Sequence, residues 1–272
     1  MEHLNKKIEV LKSYIAEKGS GGAVIAFSGG VDSATLAALS RQVLGDRAVA
    51  VTAESATFTE GELRDAKTTA QEIGIKLYVT KTHELEHEAF AANPPDRCYH
   101  CKMELLKKLK QFAHQHGFAA VFDGTNFSDL EGHRPGFRAV QETQGVYSPL
   151  MEVGFTKDEV REVAKALGLT VHDRPAQACL ASRIPYHERI TAERLKRVAK
   201  AEQMIHKIVP VTQLRVRDHN GLARIEVAAS ERKLFCNVDV MEMISVQLKR
   251  LGFKYVALDL EGYRSGSMLQ HV

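Results

Sequence analysis

Residues 23–44 read AVIAFSGGVDSATLAALSRQVL, and this stretch decides the fold. Residues 23–27 are a short apolar run that fits a buried strand. From Ser33 to Leu44 the spacing is helical, with Leu36, Leu39 and Val43 on one side. Between them, Ser28-Gly29-Gly30-Val31-Asp32-Ser33 must turn a strand directly into a helix. Glycines there bend the backbone tightly and aim N–H groups at an anion. The helix N-terminus adds its partial positive charge. Ser28 and Ser33 offer hydroxyls to phosphate oxygens. Asp32 fits such a cradle when a cation such as Mg²⁺ stands between carboxylate and phosphate. The loop lacks the Gly-Lys-Ser/Thr ending of a Walker loop and the Gly-x-Gly-x-x-Gly of a dinucleotide fold, which argues against both.

Outward from this loop, strands and helices alternate. Residues 48–53 (AVAVTA) and 75–79 (IKLYV) read as further strands, and 119–122 (AAVF) as a fourth. Helices are expected from Thr59 to Ile73, closed by Gly74, and from Lys102 to His116. Another runs from Lys157 to Leu167, where Thr156 and Glu159 form a capping box and Gly168 stops it. This pattern predicts an α/β protein with a parallel sheet covered on both faces. The pattern changes around Pro175 to Pro185, which divides the chain into residues 1–184 and 185–272. The second part reads as a small α+β domain. It has helices over Thr191–Ile208 and Ser230–Leu251, and LRVRDHNGLARIEV forms a hairpin around Asn220-Gly221. KYVALDL is its last strand.

The 272 residues are 44% hydrophobic and 26% charged, which excludes disordered, collagen-like and coiled-coil classes. No stretch approaches the roughly 20 apolar residues of a membrane span. MEHLNKKIEVLKSY is a charged amphipathic helix pattern with no signal-peptide core, so a cytoplasmic protein is expected. A net charge of +3 is too small to imply nucleic acid by itself. Four Cys in a chain of this length are not a disulfide framework, and they point toward metal or catalysis. Cys98 and Cys101 form Cys-x-x-Cys in PPDRCYHCK, Cys179 lies in QACLASRIPY, and Cys236 falls on an apolar helix face, where it reads as a packed core residue. Cys-x-x-Cys alone leaves a redox pair or half of a zinc site open. Three thiolates also fit an iron–sulfur cubane with one iron left for an exogenous sulfide. The histidines, among them His83, His87, His114 and His116, read as surface residues.

SGGVDS in this context resembles the pyrophosphate loop of the PP-loop ATP pyrophosphatase superfamily, over about residues 20–180. Such proteins bind ATP, adenylate a substrate oxygen and release pyrophosphate. The resemblance implies an adenine nucleotide alpha hydrolase-like domain. It assigns ATP binding to Phe27, Ser28, Gly29, Gly30, Asp32 and Ser33, to Ala53, Glu54 and Ser55 at the end of the second strand, and to Gly124, Thr125 and Asn126 after the fourth. Asp32 would carry Mg²⁺. SGGVDS, PPDRCYHCK, DGTN…RPGFRA, ACLASRIPYHERI and DLEGYRSGSM together resemble the LarE-type ATP-dependent sulfur transferases, over nearly the whole chain. These build the organic part of the nickel-pincer nucleotide cofactor of lactate racemase, by adenylating a pyridinium-dicarboxylate mononucleotide and replacing the activated oxygen with sulfur. In one branch a Cys at the position of Cys179 gives up its own sulfur; in the other, three Cys hold a 4Fe–4S cluster that carries it. Cys98 and Cys101 imply the cluster branch. The resemblance also implies a homo-oligomer and a small-molecule nucleotide substrate.

Lys102, next to Cys101, and Arg183, near Cys179, are candidates for holding ATP or carboxylate and for lowering a thiolate pKa. In the hairpin register Arg217 faces Arg224 and Arg215 faces Glu226. Facing like charges are unfavourable, so Arg215, Arg217 and Arg224 are expected to bind a substrate phosphate or to support a subunit contact. Arg134 and Arg264 are weaker candidates. Other readings stay open. A PP-loop tRNA thiolase would need an RNA surface, against which the small net charge argues. A metal-binding regulator makes no use of the loop's chemistry. An amidating PP-loop enzyme leaves the cysteines idle.

Overall fold

The computed structural model describes residues 2–131, 135–175, 178–264 and 266–268. The chain groups into two compact units: residues 1–84 with 98–177, and residues 85–97 with 178–272.

In the first unit, α1 (Glu2–Lys18) precedes β1 (Ala23–Ala26), α2 (Val31–Leu44), β2 (Ala48–Glu54), α3 (Glu60–Ile73) and β3 (Lys76–Lys81). The short α4 (Glu88–Ala91) belongs to the second unit. Then come α5 (Arg97–His116), β4 (Ala120–Phe122), α6 (Pro135–Glu142), β5 (Val146–Tyr147), α7 (Pro149–Glu152) and α8 (Lys157–Ala166). The five strands form one sheet in the order β3-β2-β1-β4-β5, every pair parallel. Alternate strand residues serve two cores. Ala23 and Ile25 pack with Leu11 and Ile15 of α1, Leu36 and Leu39 of α2, and Val160 and Val163 of α8. Val24 packs with Val49 and Val121 against Leu106 and Leu109 of α5. Burial on both faces is why these strands are apolar runs without alternation.

The capping box expected at Thr156 forms, and a second one opens α3. Thr59 Oγ1 accepts from the Glu62 N–H and the Glu62 carboxylate takes the Thr59 N–H. Thr156 and Glu159 do the same. Helix α5 starts earlier than its apolar spacing suggested, at Arg97, so Cys98 and Cys101 lie on its first two turns.

In the second unit, α9 (Ala192–Ile208), β6 (Leu214–His219), β7 (Leu222–Val227), α10 (Val238–Arg250) and β8 (Tyr255–Leu258) follow in order. Strands β6 and β7 are antiparallel, in the register that pairs Arg217 with Arg224 and Arg215 with Glu226, and β8 joins β7 in parallel. Asn220 and Gly221 both have positive φ, 48° and 95°, as a two-residue hairpin turn requires. The expected helix over Ser230–Leu251 is interrupted. A 3₁₀ segment over Ala229–Phe235 ends before Asn237, whose side chain accepts the N–H groups of Asp239 and Val240 and starts α10 afresh. Cys236 sits at this break and is exposed, so the reading of it as a packed core residue is corrected.

Candidate functional site

The chain from β1 to α2 is shaped by its own hydroxyls and by a neighbouring helix. Ser33 Oγ accepts the Ser28 N–H at 3.2 Å and donates to the Gly30 carbonyl at 3.1 Å, while Ser28 Oγ accepts the Gly30 N–H at 3.3 Å. Gly29 has φ +75°, and a Cβ there would lie 2.7 Å from Ala66 Cα of α3. No side chain caps α2, because its N-cap is Gly30. Its first N–H groups are thus left for an external anion. Gly124 is tight for a related reason, since a Cβ there would lie 3.1 Å from the Ser33 backbone nitrogen.

A cavity of about 250 Å³ opens at this carboxyl edge of the sheet, where ligands of open α/β sheets bind. It is lined by Phe27, Ser28, Asp32, Ser33, Thr52, Ala53, Phe58, Lys102, Asp123, Gly124, Thr125 and Asp129, among others. Two of its lining carboxylates are in ion pairs. Lys102 of α5 pairs with Asp123, which is only 3% exposed. Burial acts to raise the Asp123 carboxyl, but Lys102 and the Thr125 N–H and hydroxyl outweigh it and hold the group below its ordinary value. Lys157, the first residue of α8, pairs with Asp32 Oδ2, and Asn126 Nδ2 donates to Asp32 Oδ1 at 3.0 Å. The Asn126 amide oxygen is buried and has no hydrogen-bond donor.

The structure thus brings Phe27, Ser28, Asp32, Ser33, Ala53, Lys102, Gly124 and Thr125 to one cavity, with Asn126 attached through Asp32. Gly29 and Gly30 shape the loop behind it. Glu54 is the exposed last residue of β2. Ser55 is bonded to Thr57, whose hydroxyl donates to the buried Glu84. Sequence reading named the Asp123 segment without giving that carboxylate a role, and it missed Lys157. No signal within one segment marks Lys157, because its pairing with Asp32 depends on where α8 packs against α2.

None of the four cysteines forms a disulfide. Cys98 is exposed and Cys101 partly so, three residues apart on α5 and immediately before Lys102. Cys179, in the second unit, is exposed at the start of a 3₁₀ turn. Among the described residues, no three His, Cys, Asp or Glu side chains form a ready metal-binding group. Arg183 is buried around this turn, where it donates to the carbonyls of Ala178 (2.6 Å) and Cys179 (3.1 Å) and forms a two-point pair with Glu202.

The hairpin arginines find a protein counter-ion. Glu226 is fully buried and takes both Arg217 (2.6 Å) and Arg224 (2.8 Å). Glu226, two residues along β7 from Arg224, thus offsets the facing like charges from which the sequence reading expected a phosphate or a subunit contact. Arg215 differs. It has no acidic partner among the described contacts, its Nε is buried without an acceptor, and it lies over the Tyr263 ring. Burial and the neighbouring Arg183 both lower its pKa. Arg264 pairs with Glu261 at the surface, and Arg134 lies outside the described residues.

The family model described as NAD synthase matches residues 3–104. The pyridinium-3,5-bisthiocarboxylic acid mononucleotide synthase of Lactiplantibacillus plantarum is 37% identical over 245 residues, covering 90% of this chain and 87% of that protein. An uncharacterized protein of Synechocystis is 43% identical over 97% of both chains. The NH₃-dependent NAD⁺ synthetase of Pyrococcus horikoshii is 31% identical over 170 residues, covering 61% of this chain and 64% of that protein.

Proposed function

The chain belongs to the LarE-type ATP-dependent sulfur transferases of the PP-loop superfamily, and from this we propose that it inserts sulfur into an adenylated pyridinium carboxylate mononucleotide during nickel-pincer nucleotide synthesis. The observation that carries the reading is the cavity in which the Ser-Gly-Gly-Val-Asp-Ser loop, the uncapped end of α2 and Lys102 converge. A carboxylate oxygen is a poor leaving group. In the first step a substrate carboxylate oxygen attacks the α-phosphorus of ATP, the bond to the bridging oxygen breaks, and pyrophosphate leaves with the electron pair. The α2 N-terminus and the loop N–H groups face the charge that develops there. Lys102 adds a positive charge from α5. The Asp32 carboxylate and the orphaned Asn126 amide oxygen are oxygen donors of the kind Mg²⁺ takes.

In the second step a sulfur nucleophile attacks the acyl carbon and AMP departs. Cys98, Cys101 and Cys179 supply thiolate donors of the kind iron–sulfur clusters use, on accessible positions. We assign them to a 4Fe–4S cluster, which when bound supplies transferable sulfide. The alternative is that Cys179 Sγ itself attacks, forming a thioester. Loss of its Cα proton and breakage of the Cβ–Sγ bond then leaves dehydroalanine and a thiocarboxylate. Arg183 positions the Cys179 turn in either case through its two carbonyl contacts. Arg215, with its unsatisfied Nε, is the best candidate on the hairpin for the substrate phosphate, and Arg217 and Arg224 support it through Glu226. We further assign it to the cytoplasm as a homo-oligomer that takes a small-molecule nucleotide in preference to nucleic acid. No described helix is long and apolar enough to cross a membrane.

The test is to incubate the protein with Mg-ATP and the pyridinium dicarboxylate mononucleotide, measuring pyrophosphate and product mass. Equimolar pyrophosphate and a product heavier by the exchange of oxygen for sulfur are expected. Pyrophosphate release driven by tRNA instead of the mononucleotide would replace this reading with the thiolase.

A further inference from the structure

Three carboxylates, Asp32, Asp123 and Asp129, line a cavity that the reading above fills with a polyphosphate. Such an arrangement repels its ligand unless cations intervene. Two lysines supply them, but in different settings. Asp123 is buried and also held by Thr125, so Lys102 is committed to it. Asp32 is partly exposed in the first turn of α2, and its pair with Lys157 leaves both side chains about a quarter to a third exposed, at 24% and 32%. The backbone N–H of Lys157 is fixed by Ser128 Oγ at 3.0 Å, so the start of α8 stays in place while the lysine stem can swing. The Asn126 amide oxygen, buried without a donor beside Asp32, is a second oxygen awaiting a positive partner.

We propose that Lys157 is a charge-exchanging residue: its ammonium occupies the Asp32 carboxylate while the loop is empty, and it transfers to the departing pyrophosphate when a divalent cation takes Asp32. This rests on the ATP reading above and assigns a substrate contact to a residue in α8. The ammonium and the cation cannot both sit against Asp32 Oδ2. A hard divalent ion favours the carboxylate and the amide oxygen, and the displaced ammonium then meets the nearest new negative charge, the β- and γ-phosphates. The pair with Lys157 compensates the Asp32 carboxylate, and Lys157 becomes available to the pyrophosphate only after the metal arrives.

The test uses two probes without nucleotide turnover. Mn²⁺ alone is titrated into the ATP-free protein and followed by the loss of the free-ion paramagnetic resonance signal. Inorganic pyrophosphate with Mg²⁺ is titrated separately by calorimetry. Lys157→Met is expected to bind Mn²⁺ at least tenfold more tightly than wild type and pyrophosphate at least tenfold more weakly. Lys157→Arg, which keeps the charge, should bind Mn²⁺ as weakly as wild type. Adding Asp32→Asn to Lys157→Met should abolish the gain in Mn²⁺ affinity. Mn²⁺ affinity within twofold of wild type in Lys157→Met overturns the exchange, and so does unchanged pyrophosphate affinity. Thermal melts of each variant verify folding. Failure of the wild type to bind Mg-ATP would sink the ATP reading instead, while the manganese titration, which needs no nucleotide, still decides the Asp32 exchange.

Discussion

Lys102 lies one residue after Cys101 on α5 and forms an ion pair with the buried Asp123 at the end of β4. One helix therefore carries two of the candidate sulfur-site thiols and a cation of the nucleotide cavity. Replacing Lys102 with Met leaves Asp123 buried with only Thr125 for support. Breaking such a pair costs about 3 kcal/mol, and burial then raises the Asp123 carboxyl where it had been held down. In the wild type the depressed Asp123 contributes stability that is present above the unfolded carboxylate pKa of about 3.9 and is lost as pH falls through its lower folded value. Unfolding midpoints between about pH 7 and pH 3 should show this acid loss in the wild type. In Lys102→Met, where burial raises the Asp123 carboxyl above its unfolded value, the contribution should reverse sign, so that this variant is relieved as pH falls, and Lys102→Met/Asp123→Asn should show neither trend.

The loop glycine Gly29 tests the packing of the phosphate cradle. With φ at +75° and Ala66 Cα 2.7 Å from an added Cβ, Gly29→Ala is strained in backbone and blocked by α3 at once. The backbone term alone is on the order of 1–2 kcal/mol. Gly30→Ala meets only Ser28 Oγ at 3.4 Å and has no positive φ. Chemical denaturation should show Gly29→Ala clearly destabilised and Gly30→Ala close to wild type. Equal effects in the two variants would contradict the loop geometry.

The hairpin arginines should separate by phenotype. Glu226→Gln removes the charge shared by Arg217 and Arg224 in a buried setting, which is expected to cost about 3–5 kcal/mol. Arg217→Ala should be destabilising for the same reason. Arg215→Ala deletes a half-buried cation that has no carboxylate partner among the described contacts, so the melting temperature should hold while KM for the mononucleotide rises tenfold or more. A stable Arg215→Ala variant with unchanged KM would remove the hairpin from substrate binding.

Much of this architecture is legible from residues alone, for identifiable reasons. Strands β1, β2 and β4 are apolar runs bounded on at least one side by Gly or a charged residue, and the two members of each capping box are three residues apart in the chain, so local chemistry specifies them. Asn220-Gly221 fixes the hairpin register, and with it the pairing of Arg217 with Arg224. What local reading misses is tertiary. Strand β5 is two residues long and exists only because β4 pairs with it. Cys98 and Cys101 precede any apolar repeat, so the early start of α5 has no periodic signal. The role of Glu226 as shared counter-ion needs its burial, and that of Lys157 needs α8 to bring it to α2. Neither relationship is encoded within one segment.

The identity of the sulfur donor gives the sharpest prediction. The three candidate thiols are not in disulfides, and Cys236 is exposed beside a helix break where it takes no part in the core. After anaerobic reconstitution with iron and sulfide, about four irons per chain are expected, with visible absorption that disappears in Cys98→Ala, Cys101→Ala and Cys179→Ala but persists in Cys236→Ala. Loss in only the Cys98 and Cys101 variants would assign those two residues to a smaller metal site and free Cys179 for another role. If no iron is retained, mass spectrometry after one turnover with ATP and mononucleotide separates the alternatives. A chain lighter by one sulfur and two hydrogens, with the change mapped to Cys179, makes that residue the sacrificed donor. An unchanged mass together with a sulfur-bearing product requires sulfur delivered from outside the chain, and leaves Cys179 to relay it.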